Sequence, residues 1–316
     1  MSEKELQKKK ERKKLSLPIF IALAAVASIS LTFFIKRLQE KPKVKPEADI
    51  IAAKVEKVPF NDPFSPLWEK VPSYSIPLTQ QATVKPMKFT TPKDPLKVKA
   101  VHDGEWIAFL LEWNDTSPDI HTIKTKEFRD ACAVLLTNYP APPEAWFMGT
   151  KDYPATILHW KADWQMDIDE GFQDLEKAFP NLSIDMYPPM KEAIVRGKPP
   201  PTKDLPEEAR AWMVGWKSGN PLSLPDKKSP VEKLIGIGPG SLTPLPTQDA
   251  SGKGIWKVGV WRVVLSKKMK GSDSKEGEIN LLSEKMYSVA FTLWSGHEGD
   301  RGSRKNPSML KTLYIE

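Results

Sequence analysis

Cysteine is almost absent from this sequence, and its scarcity excludes several classes of redox protein. Cys132 is the only cysteine among 316 residues. One cysteine can form no intrachain disulfide, supplies no CxxCH motif for covalent haem attachment and cannot by itself ligate an iron–sulfur cluster. Any redox cofactor of this chain must therefore be held without cysteine thiolates.

The sequence also lacks the common zinc, hydrolase and nucleotide motifs. Its four histidines are dispersed, with no HxH or HExxH spacing. It contains no GxSxG nucleophile motif. The glycine-rich segment 235–240 is interrupted by Pro239 and is followed by no Gly-Lys-Ser/Thr sequence, so it does not predict a phosphate-binding loop.

The positive net charge of the chain is confined to two short segments near its N-terminus. The formal net charge is +7. Residues 1–14 contain seven basic and three acidic residues, and residues 36–45 contain five and one, so the remaining residues sum to −1. Nucleic acid is usually held by a basic surface. We therefore expect no nucleic-acid partner.

Residues 15–35 contain no charge at all and predict a transmembrane anchor. At about 1.5 Å per residue this run spans roughly 30 Å, the hydrocarbon thickness of a bilayer. The alternative is a cleaved signal peptide, because Ala25-Val26-Ala27 resembles a cleavage site. Residues 1–14 are typical of a cytoplasmic basic tail, which would place the following domain on the extracytoplasmic (periplasmic) side of the cell membrane. Residues 36–66, rich in Lys and Pro, predict a semi-extended spacer.

Glycine is scarce relative to proline, 17 residues against 30, which favours extended segments over helices. Short strand-like runs separated by turns predict a mainly β fold, an antiparallel β-sandwich over residues 67–316. Within it, residues 165–230 predict an insertion with helices at Asp167–Phe179 and Leu205–Gly215, separated by proline-rich segments. The predicted strands are 96–101, 105–113, 131–136, 156–164, 259–266, 286–294 and 310–315.

Four groups of motifs, in a fixed order, carry a family resemblance over about residues 95–315. They are PPEAWFMG followed by LHWKADW, SPVE leading to GPGSLT, GKGIW followed by GVWRVV, and VAFTLWSG followed by DRGSRK. In these motifs the chain resembles the haem-binding γ subunit of the ethylbenzene dehydrogenase type, which belongs to type II dimethyl sulfoxide reductase-family complexes. Each motif alone has little specificity, and their common order makes the resemblance.

The resemblance implies a β-sandwich that holds one non-covalent haem b, with Met148 and Lys305 as axial ligands. A thioether is a soft, uncharged ligand that favours ferrous iron. Lysine can ligate iron only as the neutral amine, and burial together with the nearby cations Arg301 and Arg304 would lower its pKa. Two alternatives remain open from the residues alone: Met148 fills a gap in the core, and Lys305 is an ordinary solvated lysine.

Other residues are expected to line the haem pocket rather than to ligate the iron. Trp160, Phe291 and Trp294 lie on predicted strands and would supply apolar, aromatic walls. His159 is a rival axial ligand, because imidazole ligates haem more often than amine does; otherwise it packs against the cofactor or makes a hydrogen bond in the core.

With two axial ligands from the protein, no iron position is left for a substrate, so the resemblance implies electron transfer rather than catalysis. The expected partners are the iron–sulfur and molybdopterin subunits of an oxidoreductase complex, and a downstream cytochrome or quinone pool. The alternative is a haem-free extracytoplasmic sandwich that acts as a scaffold for such a complex.

Overall fold

Strands dominate the residues that the computed structural model describes, which are 47–173, 175–182, 214–218, 220 and 227–316. The strands are β1 Ile50–Lys54, β2 Tyr74–Ile76, β3 Leu96–His102, β4 Trp106–Asn114, β5 Ala131–Asn138, β6 Ala155–Lys161, β7 Val231–Gly236, β8 Thr243–Pro244, β9 Ser251–Lys257, β10 Val260–Lys268, β11 Met286–Trp294, β12 Asn306–Pro307 and β13 Lys311–Ile315. The α-helices are α1 Ala162–Glu170, α2 Leu175–Ala178 and α3 Val214–Lys217, and 3₁₀ helices occupy Pro66–Lys70, Pro143–Trp146 and Ser274–Glu276.

The predicted strands are all present, but the helical prediction is only partly right. The segment predicted as strand over 156–164 leaves the sheet after Lys161 and continues directly as α1. The single helix predicted at Asp167–Phe179 is divided into α1 and α2, because Gly171 ends α1 with a φ of 86°. The helix predicted at Leu205–Gly215 lies almost entirely outside the described residues.

The strands form one large mixed sheet in which β1 joins two groups of antiparallel strands. The order is β8-β7-β6-β5-β11-β13-β1-β3-β4-β10-β9, with β12 beside β11 and β2 beside β3. β1 is parallel to both β13 and β3, whereas the other pairs are antiparallel. The fold is therefore consistent with the predicted sandwich, but it is not purely antiparallel.

The sheet is folded so that β5, β6 and β11 pack on β4, β9 and β10, and aromatic rings fill the space between the two layers. Trp160 of β6 lies 5.0 Å from Trp261 of β10, and Phe109 of β4 lies 6.2 Å from Phe291 of β11, between ring centroids. A Cβ atom on Gly254 of β9 would lie 2.1 Å from the Trp160 ring, so only glycine permits this packing. Fully burying each such ring contributes about 1.5–3 kcal/mol.

The folded unit begins earlier than the sequence predicts. The spacer was expected to extend to residue 66, yet β1 lies within that range and is paired on both sides, with Ile50 and Ala52 fully buried. Val58 is also buried. The segment that forms β1 has too few apolar residues for its sequence to distinguish a short strand from an extended linker. In the structure, residues Ala48–Glu316 form one compact unit.

The predicted tail and transmembrane anchor, residues 1–35, lie outside the described residues. Among the residues that are described, none belongs to a helix long and apolar enough to cross a bilayer.

Candidate cofactor cavity

A cavity of about 500 Å³ lies on the outer face of the layer formed by β7, β6, β5 and β11. The side chains of successive residues in a strand point to opposite faces of the sheet. In these strands one set of alternate residues faces the core, and the other set forms the floor of the cavity. Three of them are alanines, Ala131 and Ala133 of β5 and Ala290 of β11. These small side chains leave space above the sheet for a bulky ligand. The rest of the floor is largely apolar.

Five loop segments form the walls of the cavity. They come from distant parts of the chain and include Gln81, Thr83 and Val84; Thr122, Phe128 and Arg129; Trp146, Phe147 and Met148; Pro239, Gly240 and Leu242; and residues 300–303 with Lys305.

Met148 lies in the cavity wall with a backbone conformation that is rare for a side-chain-bearing residue. Its φ is 72°, in the left-handed region that costs about 1–2 kcal/mol outside glycine. Its carbonyl accepts a hydrogen bond of 3.1 Å from the N–H of Gly238, and Gly149 N–H donates to Ala145 O at 2.8 Å. A Cβ atom on Gly149 would lie 2.6 Å from Gly236 O. Two glycine-containing segments thus hold the methionine in place against its conformational preference.

Lys305 lies in the same cavity without a counter-ion. No described residue makes an ion pair or hydrogen bond with its Nζ, which lies 5.1 Å from the centroid of the Trp294 ring. Burial lowers the pKa of Lys305 to about 8. The cause is burial alone, so the expected contribution of Arg301 and Arg304 to this pKa is wrong: Arg301 stacks on Phe128 instead, and Arg304 faces Asp300.

His159 lies in the cavity as a neutral imidazole. Its ring stacks on Trp294 at 4.7 Å between centroids. Burial, reinforced by the positive charges of Lys161, Arg129 and Lys305, holds the pKa of His159 well below its ordinary value. Its Nε2 is buried and has no hydrogen-bond partner among the described residues. Buried polar atoms normally have a hydrogen-bond partner, and a bound cofactor could supply one to this nitrogen.

A buried ion pair and two hydrogen bonds hold the loop that carries Lys305. Lys88 Nζ pairs with Asp300, and both side chains are almost fully buried. Gln81 Nε2 donates to Ser303 O at 2.7 Å, and Arg304 donates to Met87 O at 3.0 Å. Residues 81–88 therefore act as a strap across the loop. Sequence reasoning missed this strap, because no local pattern connects it to residues more than two hundred positions later.

Two of the residues predicted to line the pocket do not do so. Trp160 and Phe291 are fully buried in the core between the two layers, on the opposite face from the cavity. Their neighbours in the period-two alternation, His159 and Thr292, line the cavity instead. The structure thus brings Met148, His159, Trp294 and Lys305 together and separates Trp160 and Phe291 from them.

The donor set fits a non-covalent haem. The cavity combines a thioether, a lysine amine that burial shifts toward its neutral form, a neutral imidazole and an apolar floor, and such soft or neutral donors suit haem iron. Ala133 and the other small floor residues leave the space that a flat macrocycle needs.

Taken together, these features define a mainly β protein with a large apolar cavity that carries potential metal ligands. The ethylbenzene dehydrogenase family matches residues 65–306, which is most of the chain. The chain therefore belongs to the ethylbenzene dehydrogenase family, and the resemblance predicted from the motifs is confirmed.

A curated relative and two solved structures are also similar to the chain. A protein of Haloferax mediterranei, provisionally named a respiratory nitrate reductase haem subunit, is 21% identical over 247 residues, 78% of this chain. The match spans 65% of that relative's length. Both structures are of a family 9 carbohydrate-binding module from Caldicellulosiruptor kristjanssonii. The glucose complex is 10% identical, with 84% of this chain and 95% of the module covered and a TM-score of 0.38. The cellotriose complex is 11% identical, with 84% and 93% covered and a TM-score of 0.37. Such TM-scores support no argument about function.

Proposed function

We propose that this chain is a b-type haem subunit that transfers electrons within an oxidoreductase complex. The observation that carries the proposal is Lys305, whose amine lies in the same apolar cavity as Met148 with no ion pair among the described residues. Lys305 is partly buried and has no counter-ion among the described residues, which is costly, and ligation of a metal by the neutral amine would offset that cost. The name of the Haloferax mediterranei relative supports the same class of subunit.

In this proposal Met148 and Lys305 would ligate the haem iron, and the surroundings of each residue hold its loop in place. The Gly238 N–H and the packing of Gly149 hold the Met148 loop. The strap at 81–88 holds the Lys305 loop. His159 and Trp294, which line the same cavity, would pack beside the cofactor. When bound, haem would supply one-electron transfer, because it cycles between ferric and ferrous iron.

The same assignment favours electron transfer over catalysis. If Met148 and Lys305 both ligate the iron, no coordination position is free for a substrate. The substrate would then react in another subunit, and electrons would pass between iron–sulfur and molybdopterin subunits and a downstream cytochrome or quinone pool. Residues 15–35 would anchor the chain in the membrane with residues 48–316 on the extracytoplasmic side.

The visible spectrum of the purified full-length chain tests the proposal. We expect a Soret band and the pyridine haemochrome maxima of haem b. A colourless protein from haem-replete cells would instead favour the haem-free scaffold.

Substitution of the two ligands tests their assignment. Met148→Ala and Lys305→Ala should each shift the reduced α-band or the midpoint potential, because each removes an axial donor. Met309→Ala and Lys311→Ala are matched controls on the same C-terminal segment: Met309 is exposed, and Lys311 forms a surface ion pair with Asp49. If His159→Gln shifts the spectrum and Lys305→Ala does not, His159 is the ligand and the lysine assignment is wrong.

A further inference from the structure

The two ends of the cavity differ in chemistry, and the register of the strands shows where each end lies. At one end Leu135 of β5 is paired with Ile157 of β6, which is paired with Leu234 of β7. Leu242 lies beside this row, close to Gly236. This end contains only apolar side chains.

The other end of the cavity is cationic. It lies at Ala131, four residues before Leu135 on β5, where Ala131 is paired with Trp294 of β11. Arg129 lies two residues before Ala131, and Arg301 lies in the loop that follows β11. Both arginines line the cavity, together with Thr122. The change from leucine and isoleucine to arginine thus occurs over the length of one strand.

Arg301 has donors that the described protein does not use. Its guanidinium lies 4.8 Å from the centroid of the Phe128 ring, and its one hydrogen bond, from Nη1 to Gly299 O, measures 2.8 Å. No carboxylate of a described residue forms an ion pair with it. Arg129 differs, because its Nη1 already pairs with Asp163 at 2.7 Å. Of the two arginines, Arg301 therefore has more capacity for an added anion.

We propose that the cavity binds its tetrapyrrole in one orientation, with the carboxylate edge at Arg301 and Arg129 and the apolar edge at Leu135, Ile157 and Leu234. This inference rests on the proposed function, since it assigns the haem propionates to residues of the same cavity. A propionate at the leucine end would be buried without a partner, which is costly. At the arginine end it gains charge-assisted hydrogen bonds, and the planar guanidinium can bind it through two N–H groups.

Titration of the haem-free full-length chain with haem b and with haem b dimethyl ester tests this orientation. The ester keeps the ring and the iron but has no negative charge at the propionate edge. We expect the wild-type chain to bind haem b about tenfold or more tightly than the ester, because hydrogen bonds to charged groups are stronger than neutral ones. Arg301→Gln should lower the affinity for haem b about five- to tenfold and leave the affinity for the ester unchanged. Arg129→Gln should have a smaller effect of the same kind.

Arg262→Gln is the matched control. Arg262 also stacks on an aromatic ring at 4.8 Å, that of Phe64, and also makes a backbone hydrogen bond, but it lies outside the cavity. We expect it to leave both affinities unchanged.

Three outcomes would overturn the orientation. If Arg301→Gln lowers the affinity for haem b and for the ester equally, the arginine only supports the structure of the loop. If Lys305→Ala abolishes the preference for haem b without shifting the α-band, the lysine pairs with a carboxylate in place of Arg301. If neither porphyrin gives a Soret shift with wild-type chain, the proposed function fails and this inference fails with it.

Discussion

Single residues in the cavity are held in states that cost free energy. Among the described residues, the partly buried Lys305 has no counter-ion and His159 Nε2 has no hydrogen-bond partner, and Met148 has a positive φ. Each of these features costs on the order of 1–3 kcal/mol, which packing elsewhere must offset. Such costs concentrated in one cavity are typical of a binding site, because the ligand supplies the missing partners.

Gly149→Ala tests whether close packing positions Met148. The new Cβ would meet Gly236 O at 2.6 Å and Ala155 N at 2.7 Å, and the residue has a φ of +81°. We expect a loss of unfolding free energy of about 3 kcal/mol or more and a loss of haem binding, measured by denaturant titration and by the Soret band.

Gly104→Ala is the control for backbone strain alone. Gly104 has a φ of +95°, and a Cβ atom there would meet nothing within 4 Å. Its substitution should cost about 1–2 kcal/mol and leave haem binding intact. If the two variants lose equal stability and bind haem equally, crowding at Gly149 does not position the methionine.

The carboxyl of Asp130 predicts a pH dependence of stability. It accepts hydrogen bonds from Gly296 N and Asp119 N at 2.8 Å and from Trp261 Nε1 at 3.0 Å. Burial, and then repulsion by Asp115, nevertheless raise the pKa of Asp130 to about 7. The native chain then retains a proton that the unfolded chain releases near pH 4. Unfolding free energy should therefore fall between about pH 4 and pH 7, by at most about 1.4 kcal/mol per unit for one proton.

Asp115→Asn should reduce this fall for two reasons: it removes the repulsion that, after burial, raises the pKa of Asp130, and it removes the Asp115 carboxyl, whose own pKa is raised by burial. Asp152→Asn on the surface should not reduce it. The measurement is the unfolding free energy across that pH range. EDTA should be present, since oxygens of Asp115, Asp119 and Asp130 lie within 4.8 Å of one another and could hold a cation. An unchanged slope in Asp115→Asn would contradict the prediction.

Strands β5, β6 and β11 separate two environments by the alternation of their side chains. Cys132, Val134 and Leu136 face the core, and Ala133 with its neighbours on the other face lies in the cavity. One strand therefore supplies both the packing that stabilises the sandwich and the floor of the site.

Ala133→Leu should obstruct the cavity without disturbing the core. We expect a folded protein whose affinity for haem falls at least tenfold, because the added side chain takes up cavity space above Ala133 that the macrocycle would need. Val134→Ala is the control on the opposite face of the same strand: it should lower the unfolding free energy by about 2 kcal/mol and retain haem. Wild-type haem affinity in Ala133→Leu would show that the macrocycle does not need the space above Ala133.

The whole sheet depends on β1, which lies between β13 and β3 and so joins the two groups of strands. Its residues pair with Leu313 and Tyr314 on one side and with Ala100 and Val101 on the other. β1 thereby joins β13 to the β3–β4 hairpin, although β1 and β13 are far apart in sequence.

Truncation tests this role of β1. A chain that begins at Ala48 should unfold cooperatively, whereas a chain that begins at Leu67 should lose β1, expose the edges of β3 and β13 and aggregate. Thermal unfolding followed by circular dichroism, together with size-exclusion chromatography, would separate the two. Equal cooperativity in both chains would mean that β1 is dispensable.

Local sequence patterns predicted seven of the thirteen described strands, because a strand with clear alternation and flanking turns is determined within a few residues. The hairpin of β3 and β4 and the strand β11 were predicted almost to the residue. Met148 and Lys305 as a pair came from ordered motifs rather than from periodicity. The family resemblance thus predicted that the thioether and the amine meet at one iron, although no local pattern placed the two residues near each other.

Tertiary structure alone decided which face of each strand is core and which is cavity. Every residue of β5 from Ala131 to Thr137 is buried, so hydropathy could not distinguish its two faces, and Trp160 and Phe291 were placed on the wrong side. The strap at 81–88, the pairing of β1 and the burial of Lys305 also depend on contacts between residues far apart in the chain. Local patterns carry no information about such contacts, because they form only when the two layers pack and the loops close over the sheet.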